Sequence, residues 1–380
     1  MIVTALLVAL AAGAGVYSVL AVIAARRYAA CRPEMPSGGV PDSSLEPVSI
    51  LKPLSGAEDE LETNLRTFFT QDYPDFEILF AVRREDDPAV GVVRRLQAGF
   101  PQVPTRLLLT GESPYPNAKV FSLDRMMAEA RNDLLVMSDS DIRVTPGMLR
   151  VVAAEFRDGK TGVATCPYRA VPGRSFWSRL EAVGMNTQFL SGVLTARMLE
   201  GMKFAVGPTI VARKRVLADI GGFDRLKDYL AEDFVMGKFA AERGHGVILS
   251  SYVIEHHIGT QGLVENLKHR LRWARSTRRS RPAGYAGELF TYPLPIALLL
   301  WAWEPRLWPV AALTAALRAW NAWEVGWRLL RDPLTARRWW LVAVQDLLAF
   351  AVWITGFFGN RILWRGQWYH LYPDGRFERV

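Results

Sequence analysis

Three acidic clusters have the residue types and spacing for chemistry. The apolar run Leu134-Leu135-Val136-Met137 leads straight into Ser138-Asp139-Ser140-Asp141. Residues two apart on an extended chain face the same way, so a buried strand ending here delivers two carboxylates to one side of its tip. Such a pair suits a hard divalent cation, which takes oxygen ligands and shares them with phosphate; an acidic turn ahead of Pro146 is the alternative. Glu85-Asp86-Asp87-Pro88 follows a second apolar run over 77–82. It either sets another carboxylate at the same sheet edge or caps the helix that Pro88 opens. Glu232-Asp233 begins an apparent helix carrying Phe234, Val235, Phe239 and Ala240. There the choice lies between catalysis and a favourable place on the helix dipole.

The fourth cluster is cationic. His269-Arg270-Leu271-Arg272-Trp273 is followed by Arg275, Arg278, Arg279 and Arg281, and with Lys268 this places seven Lys and Arg within 14 residues. A solvated or lipid-headgroup-binding face accounts for Arg275 onwards. Arg272 beside Trp273 differs, because a fixed guanidinium can hold a diphosphate in bidentate fashion. His256-His257 follows a β-rich run over 247–254. Adjacent residues on a strand point opposite ways, so at most one of the two histidines serves a metal or phosphate.

These residues need a scaffold that brings them to one edge. Apolar runs at 48–51, 77–82, 106–109 and 134–138 read as strands, and 61–70, 90–98 and 119–129 read as helices between them. Strands alternating with helices predict an α/β domain with a parallel sheet covered on both faces. In such sheets ligands sit beyond the carboxyl ends of the strands, where the acidic clusters fall.

Residues 1–25 contain no charged side chain, and Arg26, Arg27 and Arg32 follow at once. That length crosses a hydrocarbon core of about 30 Å. Without the basic start of a signal peptide, it reads as an uncleaved anchor with the chain after it in the cytoplasm. Residues 26–47, rich in Pro, Gly and Ser from Pro33 to Pro47, read as a linker, and 48–287 as the catalytic domain. Weaker apolar stretches lie at about 288–303, 307–323 and 339–358. Eleven of the 13 tryptophans stand at or beyond Trp301, as expected of a membrane-interface region. Arg328, Arg331, Arg337 and Arg338 hold the 324–338 connector in the cytoplasm, so an alternating path leaves the tail, 359–380, outside. Of the 380 residues 50% are hydrophobic and 22% charged, which excludes disorder and collagen-like repeats. Cys31 and Cys166 are the only cysteines, too few for a disulfide framework or a structural zinc site, and they indicate a reducing compartment.

Taken together, these clusters resemble inverting, metal-dependent nucleotide-sugar glycosyltransferases of the GT-A fold, most closely the ceramide glucosyltransferase family and its bacterial relatives, including hopanoid-linked enzymes. The resemblance is carried by Val48 to Gly56, Asn64-Leu65 through Phe69, Asp72-Tyr73-Pro74, Asp86-Asp87-Pro88-Ala89, Asp139 through Val144, Gly221-Gly222-Phe223, Ala231-Glu232-Asp233-Phe234 and Arg272-Trp273. It implies a Rossmann-like GT-A domain with transmembrane helices at both ends. On it, Asp87 contacts the nucleotide, Asp139 and Asp141 bind the sugar diphosphate and its metal (Mg²⁺ or Mn²⁺), and Asp233 is the general base. Arg272-Trp273 closes a (Gln/Arg)-x-x-Arg-Trp motif in which His269 stands where Gln or Arg is usual. Lys119, in Asn117-Ala118-Lys119-Val120, resembles the family's Asn-x-Lys segment near the nucleotide; a surface lysine starting a helix is the alternative. Asp141 stands where animal ceramide glucosyltransferases often have Gly, which brings the chain nearer the bacterial relatives. The implied partners are a UDP-sugar donor, a membrane lipid acceptor (ceramide or hopanoid-like) and the bilayer, with the enzyme integral to a bacterial inner membrane and its catalytic domain cytoplasmic.

Residues 175–206 include Phe176, Trp177, Phe189, Leu190, Val193, Leu194, Met198, Leu199, Met202 and Phe204 with few charges. Such a stretch suits an interfacial helix or an acyl-chain groove, with ordinary core as the alternative. A processive polysaccharide synthase shares the acidic motifs, but three broken C-terminal spans are few for a polymer pore. A silent membrane scaffold has no use for all three acidic clusters. A nucleic-acid partner is not expected, since the basic run abuts apolar spans and lacks a base-stacking surface.

Overall fold

The computed structural model describes residues 1–31, 45–364 and 366–380. The linker expected over 26–47 falls largely outside these, as do Arg32 and Arg365. Strands β1 (Val48–Pro53), β2 (Phe76–Val82), β3 (Thr105–Leu109) and β4 (Leu134–Ser138) coincide with the four expected. They are followed by β5 (Ile142–Arg143), β6 (Thr161–Thr165), β7 (Tyr168–Val171), β8 (Thr209–Arg213), β9 (Gly246–Leu249) and β10 (Ile254–His257). The tail adds β11 (Arg361–Trp364), β12 (Gln367–Leu371) and β13 (Phe377–Arg379).

The central sheet runs β3-β2-β1-β4-β8-β6-β9. β1 to β4 are parallel, β8 is antiparallel to both its neighbours, and β9 is parallel to β6. Ile50, Ile78, Phe80 and Val136 bury into one apolar cluster, and Leu51, Leu79, Ala81 and Leu135 into another. Both faces are thus covered, which is why these strands read as unbroken apolar runs. The connecting helices are Leu61–Phe69, Pro88–Gly99 and Ala118–Glu129. A small second sheet, β5-β10-β7, stands beside the tip of β4.

The 175–206 stretch is one bent rod: helix Phe176–Gly184, a π-turn Met185–Phe189 and helix Leu190–Glu200. Leu190, Val193 and Leu194 pack with Ala24, Ala25 and Tyr28 of the first helix, so Leu194 is core. Phe189 and Leu199 remain exposed.

Among the described residues one helix, Ile2–Ala30, is long and apolar enough to cross a membrane. Helix Pro293–Trp303 and the rod formed by helix Trp308–Ala322 and π-turn Trp323–Leu329 make a hairpin along it. Trp303 Nε1 donates to Thr4 Oγ1 at 3.3 Å near one end, and Arg26 makes a bidentate pair with Glu324 at 3.0 and 3.1 Å near the other. Arg318 and Asp346, the charges that interrupt the apolar stretches, form a buried pair at 2.8 Å.

The segment of the last expected crossing and the tail both contact residues of the 48–287 domain. Helix Leu341–Gly356 starts against Leu180 and Val183 and ends beside Ala274 and Tyr285, so both its ends rest on the catalytic domain. The tail sheet docks on the same domain. Phe377 N donates to Asp228 O at 2.8 Å, and Leu230 joins Ile362, Leu371 and Phe377 in one apolar cluster. Tail and domain are thus joined by direct contact. The guanidiniums of Arg275 and Arg278 donate to the carbonyls of Phe357, Phe358, Gly359 and Arg361, and so hold the turn between helix Leu341–Gly356 and β11.

Candidate active site

The end of β4 carries Asp139 and Asp141 to the sheet's carboxyl edge, as the strand reading requires. Asn117 caps helix Ala118–Glu129 through its own Oδ1. The same residue's Nδ2 donates to Tyr229 O at 3.0 Å and Glu232 Oε2 at 3.1 Å. This ties the start of helix Glu232–Glu242 to the start of the Lys119 helix. Lys119 Nζ then lies 2.7 Å from Asp139 Oδ1 and 3.1 Å from Glu232 Oε1, and is no surface lysine. Burial alone lowers an ammonium's pKa, but Asp139 and Glu232 outweigh it and hold Lys119 above its ordinary range.

Asp141 is fixed from the other side. Its Oδ2 lies 3.0 Å from His256 Nε2, while its Oδ1 is buried with no partner. Burial pushes the Asp141 carboxyl up, yet His256 leaves it below the usual value. Tyr168 meets the His256 ring edge-on at 5.3 Å and stacks on Phe189 of the π-turn at 5.4 Å. His257 pairs with other groups, 3.1 Å from Glu255 and 3.5 Å from Glu60, and also borders the cleft.

Asp233 sits in the first turn of its helix. The approach is close: a Cβ on Gly207 would lie 2.7 Å from Asp233 Oδ2, so a larger residue there would displace the carboxylate. Burial, then the neighbouring Glu232 carboxylate, raises Asp233 to about 7 against the opposing charge of Lys119. The helix is reached through Gly221 and Gly222, whose φ of 98° and 69° are left-handed angles that glycine adopts without penalty.

Helix Leu263–Ser280 supplies the cationic wall. His269 Nδ1 lies 2.8 Å from Glu181 Oε1, and its ring centroid is 4.6 Å from that of Trp273. Burial would raise Glu181, but the bond to His269 holds it low. Asp139, Asp141, Asp233, Lys119, His256, His269, Arg272 and Trp273 all line one cleft of about 2150 Å³. The same cleft is lined by Tyr17 of the first helix, Phe189 and Val193 of the 176–200 rod, and Tyr292 and Trp353 from the C-terminal helices.

Asp87 stands apart from this group. Its Oδ1 accepts from Ala89 N at 2.9 Å, capping helix Pro88–Gly99, and both its oxygens accept from Gly56 N at 3.0 and 3.1 Å. It therefore anchors the loop after β1, whose Leu54 and Ser55 line the cleft. Sequence reasoning gave no role to Lys52 or Glu181. Lys52 is fully buried, lies 3.4 Å from Ser138 Oγ, donates to the Asp139 carbonyl and rests on the Phe68 ring at 3.8 Å. Burial lowers its ammonium to about 7 against the pull of Asp139 and Asp141. Lys52 was visible as a lone charge in the apolar run of β1, whereas Glu181 shares its helix with Arg179.

The sheet order and the strand-end acids define a GT-A fold. A mannosyltransferase from Pyrobaculum calidifontis, solved in complex with GDP-Man and Mn²⁺, shares the fold with a TM-score of 0.54 and 18% identity, over 93% of this chain and 99% of that one. Residues 6–377 match the model of glycosyl transferase family 21, and the chain belongs to that family. Ceramide glucosyltransferase 1 of Caenorhabditis elegans is 31% identical over 214 residues, 56% of this chain and 46% of the relative. The ceramide glucosyltransferase of Komagataella phaffii is 36% identical over 136 residues, 34% and 26% of the two chains. The chain spans about half or less of the length of these curated relatives.

Proposed function

We propose that the protein is a membrane-bound inverting hexosyltransferase that moves a hexose from a UDP-sugar to a lipid hydroxyl, in synthesis of the glucosylceramide type. The observation that carries this reading is the single cleft, lined by Lys119, the strand-end acids, Asp233 and Arg272 together with apolar side chains such as Phe189, Val193 and Trp353. Asp233 takes the acceptor hydroxyl's proton while the oxygen attacks the anomeric carbon from the face opposite the departing UDP, giving a β-linked sugar. A carboxylate with a pKa near 7 is matched to that task. Lys119 steadies Asp139 and faces the developing diphosphate charge together with Arg272.

The donor set fits a hard cation. Two carboxylates share the strand tip, and one keeps an unpartnered buried oxygen. Among the described residues no group of three or more His, Cys, Asp and Glu converges for metal binding, so diphosphate oxygens and water would complete a Mg²⁺ or Mn²⁺ shell. When bound between Asp139 and Asp141, the cation supplies positive charge to the leaving diphosphate.

The flanking helices support a membrane location. Ile2–Ala30 crosses, and the 293–329 hairpin, aligned with it over its length, re-enters and returns. Helix Leu341–Gly356 lies along the cytoplasmic interface, and the tail remains with the catalytic domain over 48–287. Incubating membranes that contain the protein with a panel of radiolabelled UDP-sugars and extracting the lipid tests the reading. Labelled glycolipid that disappears with Asp233→Asn is expected; no labelled lipid with any donor overturns it.

A further inference from the structure

The tail sheet β11-β12-β13 meets the catalytic domain at two places, and each adjoins a part of the cleft that carries a proposed working residue. The first is the segment that leads into Asp233. Residues 226–231 lie between helical elements, in turns and a single bridge, so they take their position from what touches them. The carbonyls of Lys227 and Tyr229 accept from Asn117, through its backbone N–H at 3.1 Å and its Nδ2 at 3.0 Å. The Asp228 carbonyl between them accepts from Phe377 N at 2.8 Å, and Tyr229 faces Arg376 as an antiparallel bridge. Leu230, three residues before Asp233, packs with Ile362, Leu371 and Phe377.

The second place is helix Leu263–Ser280. Arg275 follows Arg272 by three residues, about one helical turn. Its Nε donates to Phe358 O at 3.1 Å and its Nη1 to Arg361 O at 2.5 Å, and Arg278 Nη2 donates to Gly359 O at 2.6 Å. The turn between β12 and β13 touches both places at once. Gly375 stands there with φ of 88°, and a Cβ on it would lie 3.4 Å from Ser280 Oγ and 3.8 Å from the Tyr229 ring. Asn117 thus ties the segment before Asp233 to the Lys119 helix, and the tail ties it to the Arg272 helix.

We infer that the tail sheet is a positioning element of the active site, in which Phe377 and Arg275 hold the segment before Asp233 and the helix of Arg272 in one fixed relation. The inference rests on the reading of Asp233 as the base. Both residues lie outside the cleft's lining, so each acts through what it holds. A base works only within hydrogen-bond reach of the proton it takes, and a displacement of about 1 Å caused far from the reacting atoms can cost about a hundredfold in rate. A loosened tail frees the segment before Asp233 while the strand-tip acids and Lys119 keep their places, so turnover falls and UDP binding persists.

The test measures kcat and KM for lipid transfer by the full chain in lipid nanodiscs, with UDP affinity and thermal unfolding followed on the same samples. Phe377→Ala, which opens the cluster against Leu230, is expected to lower kcat by about ten- to a hundredfold at unchanged UDP affinity. Phe377→Leu, which refills the cluster, should recover most of the loss. Arg275→Lys keeps the charge and loses the fork that reaches two carbonyls; it should lower kcat in the same way, and it decides alone if Phe377→Ala fails to fold. Trp368→Ala, an exposed change on the same sheet, should behave as wild type. Wild-type kcat in folded Phe377→Ala or Arg275→Lys overturns the inference, as does a kcat that falls only in step with UDP affinity and the folded fraction. A wild type that binds UDP yet transfers to no lipid is a separate failure, that of the proposed acceptor, and the same variants are then compared on hydrolysis of the donor by water.

Discussion

Replacing the proposed base should remove activity and yet stabilise the protein, because Asp233 is an acid held where ionisation is unfavourable. Its pKa rises from 3.8 to about 7, by burial first and then by Glu232, with Asp139 adding to the rise and Lys119 opposing it. The folded state thus binds this proton more tightly than the unfolded chain does. Its contribution to stability is full below the unfolded value of 3.8 and is lost as pH climbs through about 7. At 1.36 kcal/mol per unit the ceiling is roughly 4 kcal/mol. Because Asp233 borders an open cleft, solvent screening reduces this to about 2 kcal/mol. Asp233→Asn, which carries no charge, should therefore be more stable than wild type by about that amount at pH 8, with the difference vanishing near pH 4. Denaturant titrations of both proteins in detergent and chelator across pH 4–8 measure it. Wild-type kcat/KM should rise about tenfold per pH unit up to 7 and then level, as a base acting in its deprotonated form requires. A variant less stable at pH 8, or a gap that widens towards acid, refutes the placement of a strained carboxyl here.

Three other outcomes follow from the same geometry. Asp139→Asn and Asp141→Asn should each abolish most transfer, and chelator should silence the wild type until Mg²⁺ or Mn²⁺ returns; full activity in excess chelator contradicts the strand-tip metal site. Arg318→Met, which strands the fully buried Asp346, should cost about 3–5 kcal/mol, while the double change with Asp346→Leu should recover most of it; equal losses in a denaturant series would deny the coupling. In a cysteine-free variant, Asp374→Cys in the tail and Asp224→Cys in the catalytic domain should share one response to an impermeant thiol reagent, protected in intact cells and labelled after permeabilisation; opposite responses would separate tail from domain.

The sequence disclosed most where burial is two-sided. β1, β2 and β4 are covered on both faces, so their apolar runs had no competing period, and the strand-end acids followed from where those runs stop. The C-terminal half was harder to read for a physical reason. Hydropathy reports that a segment avoids water without telling lipid from protein, and helix Leu341–Gly356 rests one face on Leu180 and Val183 while Val344, Leu347 and Ile354 stay exposed. Arg275 and Arg278 misled similarly, since an arginine that fills a distant helix's carbonyls has the same local sequence as one that faces phosphate. Asp87 and Asp139 both follow a strand, and they differ in that Asp87 has the backbone N–H of Gly56 within reach of both oxygens.

A better signal for the site lay in single charges inside apolar elements. Lys52 in β1, Glu181 in the bent rod, and Arg318 and Asp346 in the C-terminal helices each break an otherwise apolar surface. Burying an unpaired charge is costly enough that each must have a partner from elsewhere in the chain. Lys52 finds the end of β4, Glu181 finds His269 and Asn266, and Arg318 finds Asp346. Two of these three pairings converge on the cleft, through Asp139 and His269. The third grips the π-turn, where Arg318 Nη1 reaches Thr187 O at 3.4 Å and Nη2 reaches Thr187 Oγ1 at 3.3 Å. The guanidinium shares the Thr187 carbonyl with Ser191 Oγ, which donates to it at 2.7 Å. The π-turn that carries Phe189, and through it Tyr168 and His256, is in this way held by the hairpin, so the packing of the hairpin and the position of the strand-tip acids are parts of one construction.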